Sequence, residues 1–284
     1  MKRYPSIPRA DAASTLFERG HLWIQEKIDG WGVRFQLQES GAIRVGDRER
    51  VYEAGELPAR YQHLIRHLRE NLDRGALRAA VGDVESVVFF GEATVKRTID
   101  YEWRRTPSFL GYDIWETNEE RFLPPDAVEK VYERLGLHPV NTVQKEVRAV
   151  DFDPDAYEIP ESNWYDGAAA GVVIRNKTGE RAELTHPNVE ATAHVEPVEG
   201  PAEEVATELA TDRRFRTVAT EVEARNRAVT VETLYDRVFE DIVREEHDRL
   251  FHDAADFDEG AFRSELAALA SEFVAERSNQ WSNE

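Results

Sequence analysis

The chain has 284 residues and carries 36 lysines and arginines against 56 aspartates and glutamates, a formal net charge of −20. Its 41% hydrophobic and 10% aromatic content excludes a disordered chain and is enough for one large or two ordinary domains. The absence of cysteine excludes disulfides and thiol chemistry; no apolar run approaches the roughly 18 residues of a membrane span, and Met1 to Pro5 has no apolar stretch behind its charges, so a cytoplasmic protein is expected.

Trp23 to Ile28 alternates and predicts a strand ended by Asp29-Gly30. Val33 to Leu37 alternates again, which predicts a strand pair around a tight Asp-Gly-Trp-Gly turn. Ile43 to Val45 reads as a further short strand. Tyr61, Leu64, Ile65, Leu68 and Leu72 stand at helical spacing, with Pro58 suited to the first turn. Val84 to Phe90 and Phe109 to Trp115 are rich in aromatic and β-branched residues and predict buried strands. Pro125 to Leu135 predicts a helix closed by Gly136, and Gly171 to Arg175 a last short strand before a Lys-Thr-Gly turn. The irregular order of strands and helices predicts an α+β domain rather than a βαβ alternation.

Beyond a turn-rich joint at 198–201 the pattern becomes helical. Val231, Leu234, Tyr235, Val238, Phe239, Ile242 and Val243 form one stripe, with Thr230 as N-cap. Phe262, Leu266, Leu269, Phe273 and Val274 form another, entered through Asp258, and a weaker stripe covers Val205 to Val222. The predicted organisation is an α+β domain at 1–198 and a small all-α module at 201–284, the latter with 21 acids against 10 bases. Only six basic residues are lysine; the other 30 are arginine. Excess carboxylate with little lysine points to a protein kept soluble in high salt; the plainer alternative is an acidic protein from a genome that favours arginine codons.

Candidate chemistry begins at Glu26-Lys27-Ile28-Asp29-Gly30. A lysine at a strand end becomes a nucleophile when its surroundings free the amine; taken alone, the segment also fits a surface lysine beside an ordinary turn. The segment does not stand alone. Lys27-Ile28-Asp29-Gly30 resembles motif I of the covalent nucleotidyltransferases, the superfamily of DNA ligases, RNA ligases and mRNA-capping enzymes. Gly46-Asp47-Arg48, Phe89-Phe90-Gly91-Glu92, Phe109 to Ile114 and Gly171 to Asn176 resemble the arginine motif and motifs III, IIIa and IV, in the family's order. Tyr4-Pro5-Ser6-Ile7-Pro8 is similar to the start of many RNA ligases. DNA ligases and capping enzymes usually continue into an OB barrel. Here helices follow, and Trp31-Gly32 stands where DNA ligases tend to carry arginine, so the RNA ligases are the branch resembled.

The resemblance implies a ligase-type nucleotidyltransferase domain of antiparallel sheets with flanking helices. It also implies an ATP-dependent RNA ligase that joins 5′-phosphate and 3′-hydroxyl RNA ends through an adenylate on Lys27, with Mg²⁺ or Mn²⁺. Arg48 would contact phosphate through its planar fork, Glu92 the ribose hydroxyls, and Tyr112 the adenine face. Glu26, Asp29, Gly30, Val173 and Arg181 would complete the nucleotide site. On the residues themselves Glu92 fits as well a strand-end carboxylate paired with Lys96 or Arg97, Tyr112 a core aromatic and Arg48 a surface arginine.

Two positions depart from the family. Ala170 stands where motif IV opens with a glutamate, and Arg181-Ala182-Glu183 where motif V has two lysines; Asp166 would replace the first carboxylate if the strand ran back that far. The alternatives are therefore a degenerate ligase-like protein that binds ATP or RNA without sealing, and a GTP-dependent capping-type guanylyltransferase. Arg44, Arg48 and Arg50, and Lys96, Arg97, Arg104 and Arg105 with Tyr101 and Trp103, are candidate RNA contacts, since cationic residues mixed with aromatics suit a single strand. His63 and His67 stand four apart without a third ligand, and no metal site is expected of them.

Overall fold

A computed structural model describes the chain except for residues 54, 191–194, 253–254, 256–257 and 282–284. Its contacts define two compact units, Met1–Ala193 and His194–Glu284. Among the described residues no helix is long and apolar enough to cross a membrane.

The first unit runs β1 (His21–Glu26), β2 (Trp31–Leu37), β3 (Ile43–Gly46), α1 (Gln62–Asn71), α2 (Arg74–Ala80), β4 (Val87–Ala93), β5 (Phe109–Glu116), β6 (Arg121–Phe122), α3 (Pro125–Arg134), β7 (His138–Pro139), β8 (Thr142–Arg148), β9 (Gly171–Asn176), β10 (Arg181–Thr185) and α4 (Pro187–Glu190). The strands form two sheets. One has the order β10-β9-β1-β8; the other has β3-β2-β4-β5-β6, with β7 added on β5. All pairings are antiparallel except the two-residue contact of β5 with β7. This is the α+β architecture of antiparallel sheets with flanking helices.

The period of two sorts the side chains. In the smaller sheet Leu22, Ile24, Val172, Ile174 and Ala182 pack on Leu16, Ala149 and Phe152. The opposite face therefore carries Trp23, Gln25, Val173, Arg175, Arg181, Glu183 and Thr185. In the larger sheet Val33, Phe35, Leu37, Phe89 and Phe109 pack on Leu64 and Leu68 of α1 and Val128 and Tyr132 of α3. The Phe35 and Phe89 rings stack at 4.7 Å. Glu92 and Phe90 thus point to the other side of β4.

One expectation is corrected. β1 and β2 are not a hairpin, because β1 pairs with β8 and β9 while β2 pairs with β3 and β4. Residues 27–30 instead cross from one sheet to the other. Gly30 is needed there because a Cβ would lie 2.6 Å from the carbonyl oxygen of Ala93. The strand β9 begins at Gly171, and Asp166 is exposed in the preceding bend, so it does not share a strand face with Ala170.

The second unit holds α5 (Ala202–Leu209), α6 (Asp212–Ala224), α7 (Val231–Leu250) and α8 (Glu259–Trp281). Thr230 Oγ1 accepts from the Thr233 amide at 3.1 Å, and Asp258 Oδ1 from the Ala261 amide at 2.9 Å, so both expected starts are capped. Leu234, Val238, Phe239, Ile242 and Val243 of α7 are buried, as are Phe262 and Leu266 of α8. Tyr235 stays half-buried.

Candidate active site

The crossover between the sheets opens on a cavity of about 540 Å³, within the range of small-molecule sites. Glu26, Lys27, Asp29, Gly30, Arg48, Glu92, Tyr112 and Val173 all line it. Eight of the nine expected site residues therefore meet in one place, from segments up to about 150 positions apart.

Lys27 follows the last residue of β1. Its amide donates to the Gly171 carbonyl at 3.0 Å, which holds the backbone against the start of β9. Its Nζ donates to Glu183 Oε2 at 2.7 Å and to Thr185 Oγ1 at 3.1 Å, both on β10. The ladder explains why. Glu183 lies opposite Val173, and Val173 opposite Gln25, so the strand ends bring Glu183 and Thr185 to the edge where β1 delivers Lys27.

Two of the acidic residues here are builders. Glu26 is buried and accepts from Ser162 Oγ at 2.6 Å, from the Asn163 amide at 3.1 Å and from Asn141 Nδ2 at 3.3 Å. Burial pushes its carboxyl up, partly offset by those bonds. Asp29 Oδ2 accepts from the amides of Thr98 and Ile99 at 2.7 and 2.9 Å, and Arg97 stands 3.8 Å from its Oδ1. These two carboxylates fasten the 94–100 and 160–164 segments to the crossover.

Glu92 differs. Its Oε2 is buried without a hydrogen-bond partner among the described residues. Burial pushes its carboxyl up to about 7, against the lowering pull of Arg48, Arg97 and Lys27. An acceptor held unpaired beside a cavity is poised for a ligand hydroxyl. Lys96, one of the two partners that the plainer reading of Glu92 named, bonds Asp100 instead at 2.9 Å.

Tyr112 arrives through a β-bulge. Phe90 pairs with Asp113 and Gly91 with Gly111, which leaves Tyr112 as the extra residue of β5. Its ring meets the Tyr4 ring at 5.0 Å, edge to face, and burial raises its phenol well above the usual range. Tyr4 to Ile7 form part of the cavity wall.

Arg181 is the expected site residue that the structure does not bring in. It shares a strand face with Glu183 but lies two positions further along. There its Nη2 donates to Asp113 Oδ2 at 2.8 Å and its guanidinium covers the Phe122 ring at 4.5 Å. Arg175 Nη2 holds the other oxygen of Asp113 at 3.1 Å, and the Tyr4 hydroxyl donates to Oδ2 at 3.0 Å. Asp113 and its two arginines are buried, and burial, then the Asp113 carboxylate, push the Tyr4 phenol far up.

Thr185 and Arg175 also line the cavity and were not among the expected residues. The alternation Arg181, Glu183, Thr185 is the signal that could have found Thr185. The second candidate RNA segment is largely self-paired: Arg105 meets Glu102 at 2.7 Å, Trp103 Nε1 donates to Asp100 at 2.8 Å, and Tyr101 is buried.

The donor set does not fit a resident metal ion. Glu26 and Asp29 are engaged, Glu183 is paired with Lys27, and Ala170 offers no oxygen and sits in an apolar cluster with Ile28, Tyr101 and Leu110. Among the described residues no three histidine or carboxylate groups converge.

Two antiparallel sheets joined by a lysine-bearing crossover beside a cavity are the architecture that the resemblance to the nucleotidyltransferases implies. The family model for RNA ligase matches residues 20–188, more than half of the chain. The chain belongs to the RNA ligase family. Among solved structures it is similar to a Naegleria gruberi RNA ligase mutant with ATP and Mn, with a TM-score of 0.52 and 11% identity over 66% of this chain and 56% of that one. It is similar to the same organism's RNA ligase with PPi at a TM-score of 0.50 and 14% identity, over 65% and 56% of the two chains. An archaeal ATP-dependent RNA ligase aligns over 95% of this chain at 17% identity and a TM-score of 0.47, and the chain spans 63% of its length. A search of curated proteins gave no match.

Proposed function

We propose that the chain is an ATP-dependent RNA ligase that uses Lys27 as adenylate acceptor, with the unit Met1–Ala193 as its nucleotidyltransferase domain. The observation that carries this reading is the convergence of Lys27, Arg48, Glu92 and Tyr112 on one cavity. The neutral Lys27 amine attacks the α-phosphorus of ATP. A P–N bond forms, the P–O bond to pyrophosphate breaks, and the amine proton leaves to solvent. The AMP then passes to a 5′-phosphate RNA end, and a 3′-hydroxyl displaces it to seal the strand. Positioning and charge neutralisation carry most of such displacements. Arg48 offers paired donors to phosphate, Glu92 accepts from the ribose, and Tyr112 covers the base. A divalent ion entering with the phosphates would neutralise their oxygens. The charge balance supports a host with high internal salt; a higher melting temperature in molar KCl than in dilute buffer checks this.

A second reading, a protein that binds nucleotide or RNA ends without sealing, is favoured by Ala170 and by the engagement of Lys27 with Glu183. Incubation with α-labelled ATP or GTP and Mg²⁺ or Mn²⁺, followed by a denaturing gel, separates the readings. Label from ATP that is lost in Lys27→Ala supports the ligase. Label from GTP alone indicates a capping-type enzyme. Nucleotide binding without label selects the second reading.

A further inference from the structure

Glu183 stands in the candidate site as an anion facing the lysine. Its backbone is fixed from both sides, by pairing with Val173 on β9 and by its amide, which donates to the Pro8 carbonyl at 2.9 Å. Its carboxylate meets Lys27 Nζ at 2.7 Å, with the two side chains 25% and 28% exposed. That is buried enough to weaken screening and open enough for a ligand to reach. Thr185 Oγ1 accepts a second hydrogen bond from Nζ. An ammonium group has three donors and no lone pair. A phosphate arriving at Lys27 would need the same donors that the Glu183 oxygen now takes. The other charged groups that line the cavity are Glu26, Asp29, Arg48, Glu92, Arg97 and Arg175, and of these Glu26, Asp29 and Arg175 are already engaged.

We infer that Glu183 is a positioning residue whose carboxylate occupies the place of the reacting phosphate, so that Lys27 stays engaged within the chain until a phosphate displaces Glu183. This deepens the ligase reading and rests on it for the identity of the incoming group. The pairing works against nucleotide binding, since it supplies like charge to the phosphate and occupies the amine that the phosphate would meet. Glutamine at this position keeps the shape and removes the charge; aspartate keeps the charge.

The test uses the full chain, Glu183→Gln and Glu183→Asp, each treated briefly with acetic anhydride at one mildly alkaline pH. Lys27 acetylation is read by peptide mass spectrometry, with the other five lysines as internal references. Freeing the amine from its hydrogen-bonded partner is expected to raise Lys27 acetylation several-fold in Glu183→Gln and to leave it near wild type in Glu183→Asp, with reference lysines unchanged. AMP affinity, measured by calorimetry, rises several-fold in Glu183→Gln. Acetylation in Glu183→Gln at or below the wild-type level overturns the inference, and a fall would mark Glu183 as an acceptor of the Lys27 proton instead. If acetylation rises while α-labelled ATP gives no adduct in any variant, the inference stands and the ligase reading fails. If wild type labels well and acetylation does not change, the reverse holds.

Discussion

On one face of β9 and β10 lie two ionic groups only two residues apart. Arg175 and Arg181 hold Asp113 with all three side chains at most 6% exposed. Lys27 and Glu183, one pair along, stay about a quarter exposed. The first is enclosed by Tyr4 and Phe122 and ties the two sheets together; the second opens on the cavity. The same chemistry is structural where water is excluded and available for reaction where it is not.

The largest expected difference between them is in stability. Asp113→Ala leaves two buried guanidinium groups without their carboxylate and should cost about 3–5 kcal/mol, read as a lowered urea midpoint. A loss under about 1 kcal/mol would mean that the sheets are held by apolar packing alone. An intermediate effect is expected at Glu92. Its carboxyl is raised to about 7 in the folded chain, so the folded state disfavours its charge above the unfolded value of about 4.5. That penalty is absent below about pH 4 and complete above about pH 8. Glu92→Gln should therefore stabilise by about 3 kcal/mol near pH 8 and do nothing near pH 4. Equal effects at both pH values would show that Glu92 is not desolvated. The smallest effect falls on Glu183→Gln, which should change stability by less than about 1 kcal/mol. A loss as large as that of Asp113→Ala would erase the contrast.

Much of this was legible in the sequence because apolar strands announce themselves. Val, Ile and Phe runs at β1, β2, β4 and β5 marked the buried strands, and Thr230 and Asp258 marked helix starts. β8 left no such trace, since Gln144, Lys145 and Glu146 are consecutive exposed residues on an edge. The Asp-Gly turn suggested a hairpin because turn chemistry is local, whereas the partners of β1 lie more than 100 positions away. Within the site, eight of the nine residues expected from motif order line the cavity. Arg181 shares the face but not the cavity, because Asp113 claims its guanidinium from 68 positions away, which no local motif announces. The pairing of Lys27 with Glu183, 156 positions apart, could not be read from spacing at all.

The most direct test of the central claim is to map the adduct itself. After incubation with ATP and a divalent ion, the protein is digested and its peptides are sequenced by mass spectrometry. The account predicts AMP on the peptide that contains Lys27, joined through Nζ, and absent from Lys27→Arg. AMP on any other residue, or unmodified Lys27 in a protein that binds ATP, would contradict it.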